Sequence, residues 1–207
     1  MPAKQNLSDQ ELKVVILAAG KESISPDIKP ILLQDLGDHK VIDYVIQNSR
    51  ELVSPYDLYL VVGYRHEEVR THLGAGYQYI VQEEQRGTGH AVLQLKPLLK
   101  DYHGDLLILY GDTPLFRPDS IRGLLNRHRL RGAHLTLLTA IVDRPYPYGR
   151  IIRDVSGQII DIIEAAEASQ VVREIRELNV GAYLVRADAI FPVLERLSPG
   201  SPPLSMA

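Results

Sequence analysis

The chain has 207 residues, enough for one large domain to bury a sizeable core. Apolar residues make up 45% and charged residues 24%, the ordinary balance of a globular protein, and the formal net charge of -3 gives no electrostatic reason to expect nucleic-acid binding. No cysteine is present, which excludes disulfides and thiolate metal sites.

In chain order, Met1 to Leu12 is polar and carries Asp9 and Glu11. The apolar run from Val14 to Ala19 is too short for a signal-peptide core or a membrane span, so the cytoplasm is the expected compartment and no membrane is expected as partner. The runs VVILAA (from Val14), LYLVVG (from Leu58), YQYIVQ (from Tyr77) and LLILYG (from Leu106) are short, branched or aromatic and bounded by turn residues, which predicts buried strands. Helical patterns alternate with them over His39 to Val53, Arg65 to Leu73, Thr88 to Leu99 and Pro118 to Leu130. Such alternation predicts an α/β fold with a mostly parallel sheet flanked by helices. From Ala133 the texture changes. HLTLLTAIV, GRIIRDV, QIIDIIE and LNVGAYLV read as strands with little helix between them, a mixed-sheet extension, followed by a helix over Ala187 to Leu197. SPGSPPLSMA, from Ser198, lacks a hydrophobic period and reads as a disordered tail.

Four segments can carry chemistry. In LAAGKESISPDIKPILL (from Leu17) a strand runs into a glycine-containing loop. The carboxyl ends of strands in an open parallel sheet face the ligand crevice, and the small residues Ala18, Ala19 and Gly20 let backbone N–H groups approach a nucleotide. Lys29 is the candidate phosphate binder; the alternative is a solvated loop lysine. In VQEEQRGTGHA (from Val81), Gly87 and Gly89 permit close approach, a helix starts near Thr88, and Gln82 can donate and accept against a pyrimidine edge. The simpler alternative makes Thr88 a helix cap and His90 a histidine packed under the sheet. In DLLILYGDTPLF (from Asp105) the strand delivers Asp112 to the crevice, where one carboxylate suffices for Mg²⁺ carried by a triphosphate. A turn or cap is the alternative for Asp112. In the second half, Gly149 permits close approach, while Glu164 and Asn179 offer hydrogen-bonding groups to sugar hydroxyls, although no spacing rule joins them. Arg117, Arg122, Arg127, His128, Arg129 and Arg131 read as a solvated helix face. A G-x-S-x-G elbow, an H-E-x-x-H pair and a G-x-x-x-x-G-K-[ST] phosphate loop are all absent.

Taken together, LAAG, the Lys29 region, QEEQRGTGHA, YGDTPL (from Tyr110), PYGRIIRD (from Pro147) and ELNVGAYLV (from Glu177) resemble, in order, the uridyltransferase domain of bacterial N-acetylglucosamine-1-phosphate uridyltransferase. The resemblance implies a Rossmann-like fold of the nucleotide-diphospho-sugar transferase type. It places a nucleotidyltransferase domain over 1–197, with a nucleotide-binding half over 13–131 and a sugar-binding half over 132–197. It implies UTP and N-acetylglucosamine 1-phosphate as substrates, Mg²⁺ as cofactor, and cell-wall precursor synthesis as the setting; a homo-oligomer is compatible with it. Carried over by motif, Leu17, Ala18, Ala19, Gly20, Gln82 and Gly87 would hold the nucleotide. Thr88, Tyr110, Gly149, Glu164 and Asn179 would hold the sugar. Lys29 would contact phosphates and Asp112 would bind Mg²⁺.

Two departures qualify the resemblance. The family's Gly-x-Gly-Thr-Arg loop is GKESIS here, about two residues shorter before Lys29, with Ile24 where the arginine belongs and Glu22 nearby. Losing such a transition-state contact costs ~3–4 kcal/mol. The family's second metal ligand, an asparagine expected near Ser198, is also missing. Three expectations follow: an active uridyltransferase, a nucleotide- or sugar-phosphate-binding relative without turnover, or a nucleotidyltransferase for another sugar or base. The Gln82 motif fits uracil and also thymine.

Overall fold

The computed structural model describes residues 11–20, 29–144 and 146–196. The expectations for the GKESIS loop after Gly20 and for the tail from Ser198 lie outside these residues.

Strand β1 (Leu12–Ala18) is followed by a small hairpin of β2 (Asp35–Leu36) and β3 (His39–Lys40), then by helix α1 (Val41–Arg50). Next come β4 (Leu58–Val62), α2 (His66–Leu73), β5 (Gln78–Val81), α3 (Thr88–Leu93), β6 (Asp105–Tyr110) and α4 (Pro118–Arg131). The second half contains β7 (Leu135–Ile141), β8 (Arg150–Arg153), β9 (Ile159–Ile163), α5 (Gln170–Arg173), β10 (Glu177–Arg186) and α6 (Ala187–Glu195). The large sheet has the order β5-β4-β1-β6-β10-β8-β9, with β7 also paired to β10. β5, β4, β1 and β6 are mutually parallel. β10 enters antiparallel to β6 and begins the mixed extension.

Unbroken apolar runs follow from burial on both faces. Along β1, Val14, Ile16 and Ala18 join the core beneath α1, α2 and α4, while Val15 and Leu17, with Ala19 just past the strand, join the core beneath α3 and α6. Side-chain period two thus splits one run between two cores. β10 does the same at the other side of β6, with Ala182 and Leu184 in the first core and Tyr183 and Val185 in the second.

The structure shortens two of the sequence-based helices. His39 and Lys40 form the hairpin instead of opening α1, turned by Gly37 at φ 63°. The pattern over Thr88 to Leu99 keeps its apolar face but stays helical only to Leu93. Pro97 lacks an N–H and disfavours helical geometry at Lys96, and turns carry the chain to Tyr102. Of the basic stretch, Arg117, Arg122, Arg127 and Arg131 are exposed as expected, but two members depart from the solvated face. His128 and Arg129 turn inward to Asp105, at 3.5 and 3.2 Å, and His128 Nδ1 lies 2.8 Å from Thr136 Oγ1. Burial alone would raise the Asp105 carboxyl's pKa, but the adjacent His128 ring and the hydrogen bond from Arg129 outweigh it and hold it below the ordinary range. Among the described residues, no helix is long and apolar enough to cross a membrane.

Candidate active site

The parallel strands end at one edge of the sheet, and the candidate residues lie along it. β1 stops at Ala18, next to Val62 of β4 on one side, and Gly111 follows β6 on the other. The Gly111 N–H donates to the Leu17 carbonyl at 2.9 Å, tying the two tips together. At Gly63, just past β4, a Cβ would come within 2.8 Å of the Ala19 carbonyl oxygen, so only glycine lets these tips close up.

Between the tips and α3 lies a recess of about 420 Å³, lined in part by Leu17, Ala18, Ala19, Gly20, Gln82, Gly87, Thr88, Tyr110 and Asp112. All six residues assigned to the nucleotide line it. Lys29 does not. It is exposed at the rim, one residue before Pro30, which does line the recess. A second recess, of about 280 Å³, is lined by Tyr110, Asp112, Thr113, Tyr148, Gly149, Glu164, Asn179, Val180 and Gly181, together with Pro147. Four of the five sugar candidates are here; Thr88 belongs to the first recess and lies 3.2 Å from the Tyr110 hydroxyl. Tyr110 and Asp112 line both recesses.

Each candidate side chain is held by local structure. Gln82 is only 4% exposed; its Nε2 lies 2.9 Å from His90 Nδ1 and 3.4 Å from the Gly87 carbonyl. His90 Nε2 in turn lies 3.1 Å from Gln94 Nε2. A neutral imidazole accepts at one nitrogen only, so one of the two amides meets the ring with its oxygen. His90 therefore braces Gln82, a role the reading as a packed core histidine missed. The cap reading of Thr88 also gives way, because Gly87 is the N-cap, at φ 97°, and no side chain caps α3. In the second recess the Asn179 N–H donates to the Gly149 carbonyl at 2.9 Å, and Arg150 Nη1 donates to the carbonyls of Tyr146, at 2.9 Å, and Tyr148. These bonds fix the loop that carries Gly149 against β10. The pairing of β10 with β7 shifts register between Asn179 and Tyr183, and such irregularities re-aim side chains at sites.

Electrostatics mark Asp112. Its carboxylate meets solvent inside the crevice, yet the protein around it displaces much of its hydration and raises its pKa above the ordinary range. No protein cation pairs with it among the described residues, where no cluster of three metal-ligating side chains occurs either. A lone, partly desolvated carboxylate suits a hard divalent ion whose other ligands come from phosphate oxygens and water. Tyr110 is shifted upward by burial, so its hydroxyl stays protonated and able to donate.

The nucleotidyl transferase family model matches residues 13–199. The chain belongs to that family. Among its curated relatives, the bifunctional protein GlmU of Synechococcus sp. (strain JA-3-3Ab) is 37% identical over 192 residues, covering 92% of this chain and 31% of the relative. GlmU of Koribacter versatilis (strain Ellin345) is 34% identical over 199 residues, 94% of this chain and 42% of the relative. That of Bacillus velezensis is 38% identical over 184 residues, 89% and 40% respectively. The chain thus spans about a third to two fifths of the length of these relatives. Two solved structures share the fold: a Bacillus anthracis protein described as a glucose-1-phosphate thymidylyltransferase (TM-score 0.78, 20% identity, 93% of this chain and 78% of that one) and a UDP-glucose pyrophosphorylase complexed with UDP-glucose (TM-score 0.73, 17% identity, 91% and 80%). The likeness to these two structures is one of fold.

Proposed function

We propose that this chain joins UTP to N-acetylglucosamine 1-phosphate, giving UDP-N-acetylglucosamine and pyrophosphate. The observation that carries the reading is that Tyr110 and Asp112 line both recesses, so a nucleotide in one and a sugar phosphate in the other would meet at these two residues. The uracil would lie against Ala18, Ala19 and Gly87 with its polar edge at the Gln82 amide. The sugar would lie among Gly149, Glu164, Asn179 and Tyr110, with Thr88 at the junction. A phosphate oxygen of the sugar 1-phosphate then attacks the α-phosphorus of UTP in line, the bond to the β-phosphate breaks, and pyrophosphate leaves with the electron pair. The protein contributes alignment and charge placement. Lys29, at the rim, would reach the phosphates. Asp112 would hold Mg²⁺ on the triphosphate; when bound, the ion neutralises charge on the phosphate oxygens.

The choice of base and sugar rests on the relatives named GlmU and on the Gln82 motif. The two structural neighbours, named for glucose substrates, support the wider class only. A second reading, a binder without turnover, is favoured by Ile24 in place of the family's loop arginine. Purified protein incubated with Mg²⁺, UTP and N-acetylglucosamine 1-phosphate is expected to release pyrophosphate. Parallel reactions with dTTP or glucose 1-phosphate should be slower. Faster release with either would reassign the substrate, and UTP binding without any release would establish the second reading.

A further inference from the structure

Tyr183 is among the bulkiest fully buried side chains, 2% exposed, and its ring packs in the core beneath α3 and α6. It lines neither recess. A phenol buried this deeply retains its hydroxyl at a cost unless the hydroxyl is bonded, and a phenylalanine would fill the same space. Here the hydroxyl has a partner: it accepts a hydrogen bond from Asn179 Nδ2 at 2.6 Å.

Two contacts fix the orientation of the Asn179 amide. The Gly181 N–H lies 3.3 Å from Asn179 Oδ1 and can only donate, so the amide oxygen must face Gly181 and the NH₂ group must face Tyr183. One amide proton is spent on Tyr183. The other is left to donate to a sugar oxygen in the recess that Asn179 lines. Gly181 permits this turn at φ 76°, and a side chain there would run into the Tyr110 ring. Asn179 lines the sugar recess, whereas Tyr183, which holds its amide from behind, lies outside both recesses.

We propose that Tyr183 is a positioning residue for the sugar: from behind the site it sets the Asn179 amide in the orientation that a hexose requires. This rests on the function proposed above. Preorganised donors spare the ligand the cost of ordering them, so losing one hydroxyl should appear as lost affinity for the sugar moiety alone.

The test is calorimetric titration of the full chain with UMP and with UDP-N-acetylglucosamine. Wild type, Tyr183→Phe, Asn179→Ala and the double variant are compared. Phe keeps the ring and its packing. Tyr183→Phe is expected to weaken UDP-N-acetylglucosamine by about tenfold. UMP should stay within about twofold of wild type. In the Asn179→Ala background, Tyr183→Phe should cost the sugar nucleotide little more, because the bond it removes is already gone. Equal weakening of both ligands would make Tyr183 merely structural and overturn the proposal, and so would unchanged affinity for UDP-N-acetylglucosamine. Wild type failing to bind UDP-N-acetylglucosamine would overturn the function and this role together. Wild type that binds while Tyr183→Phe matches it would overturn the positioning role alone.

Discussion

At the scale of single residues, Asp112 separates function from stability. Its carboxyl is shifted upward because the crevice strips hydration from the charged form, and no side-chain cation among the described residues compensates. Asp112→Asn removes that penalty together with the anionic ligand. Mg²⁺-dependent turnover should fall at least about a hundredfold while the melting temperature holds or rises. Pyrophosphate release and a thermal melt read the two halves, and a variant that melts lower yet stays active would contradict both. Residue-level legibility was uneven. Gln82 and Asp112 are legible because an apolar run ends beside each at the crevice, whereas Asn179 rests on the resemblance alone; all three line the recesses. Tyr183 is not legible, because in a strand reading LNVGAYLV it is one more apolar position; only its bond to Asn179 reveals the polar role. The bracing of Gln82 by His90 is likewise illegible, since spacing cannot show which amide its ring nitrogens face. Lys29 was placed in the phosphate site by motif, and the structure sets it at the rim.

At the scale of elements, the site depends on how closely strand tips approach. The contact between Gly63 and Ala19 is one such constraint beside the nucleotide recess. A methyl group there meets backbone, 2.8 Å from the Ala19 oxygen and 3.0 Å from its Cα, and neither can swing away. Gly63→Ala should therefore separate the tips of β1 and β4 and destabilise the fold by about 1–3 kcal/mol. UTP binding should weaken more than sugar-phosphate binding, because Ala19 lines only the nucleotide recess. Chemical denaturation and titration with each ligand check this; equal affinities for UTP in variant and wild type would show that the tips have slack. The strands themselves were legible, since all eight members of the large sheet fall on apolar runs visible in the sequence. The helix ends were less so. Pro97 cut α3 short, and the His39–Lys40 pair went to a hairpin, where local turn geometry prevailed over helical period. Pairing in the second half was the least legible, because β10 bonds to β6, β7 and β8 at once, and no periodicity encodes which neighbour a strand selects.

At the scale of the molecule, two halves built differently meet along β6 and β10. One half is a parallel sheet with crossover helices and the other a mixed sheet. Alternation of strand and helix foretold the first, and the change of texture after Ala133 foretold the second. What sequence could not supply was the shared wall: that Tyr110 and Asp112, two residues apart at the end of β6, face the recesses of both halves. The two-recess site stands on that shared wall. The most direct measurement is isotope-filtered NMR of the protein bound to UDP-N-acetylglucosamine. Uracil protons should show contacts to the methyl groups of Ala18 and Ala19, sugar protons to those of Val180, and the Tyr110 ring should be seen from both ends of the ligand. Sugar contacts confined to the Ala18 side, or none to Val180 while the base is bound, would contradict the two-recess site.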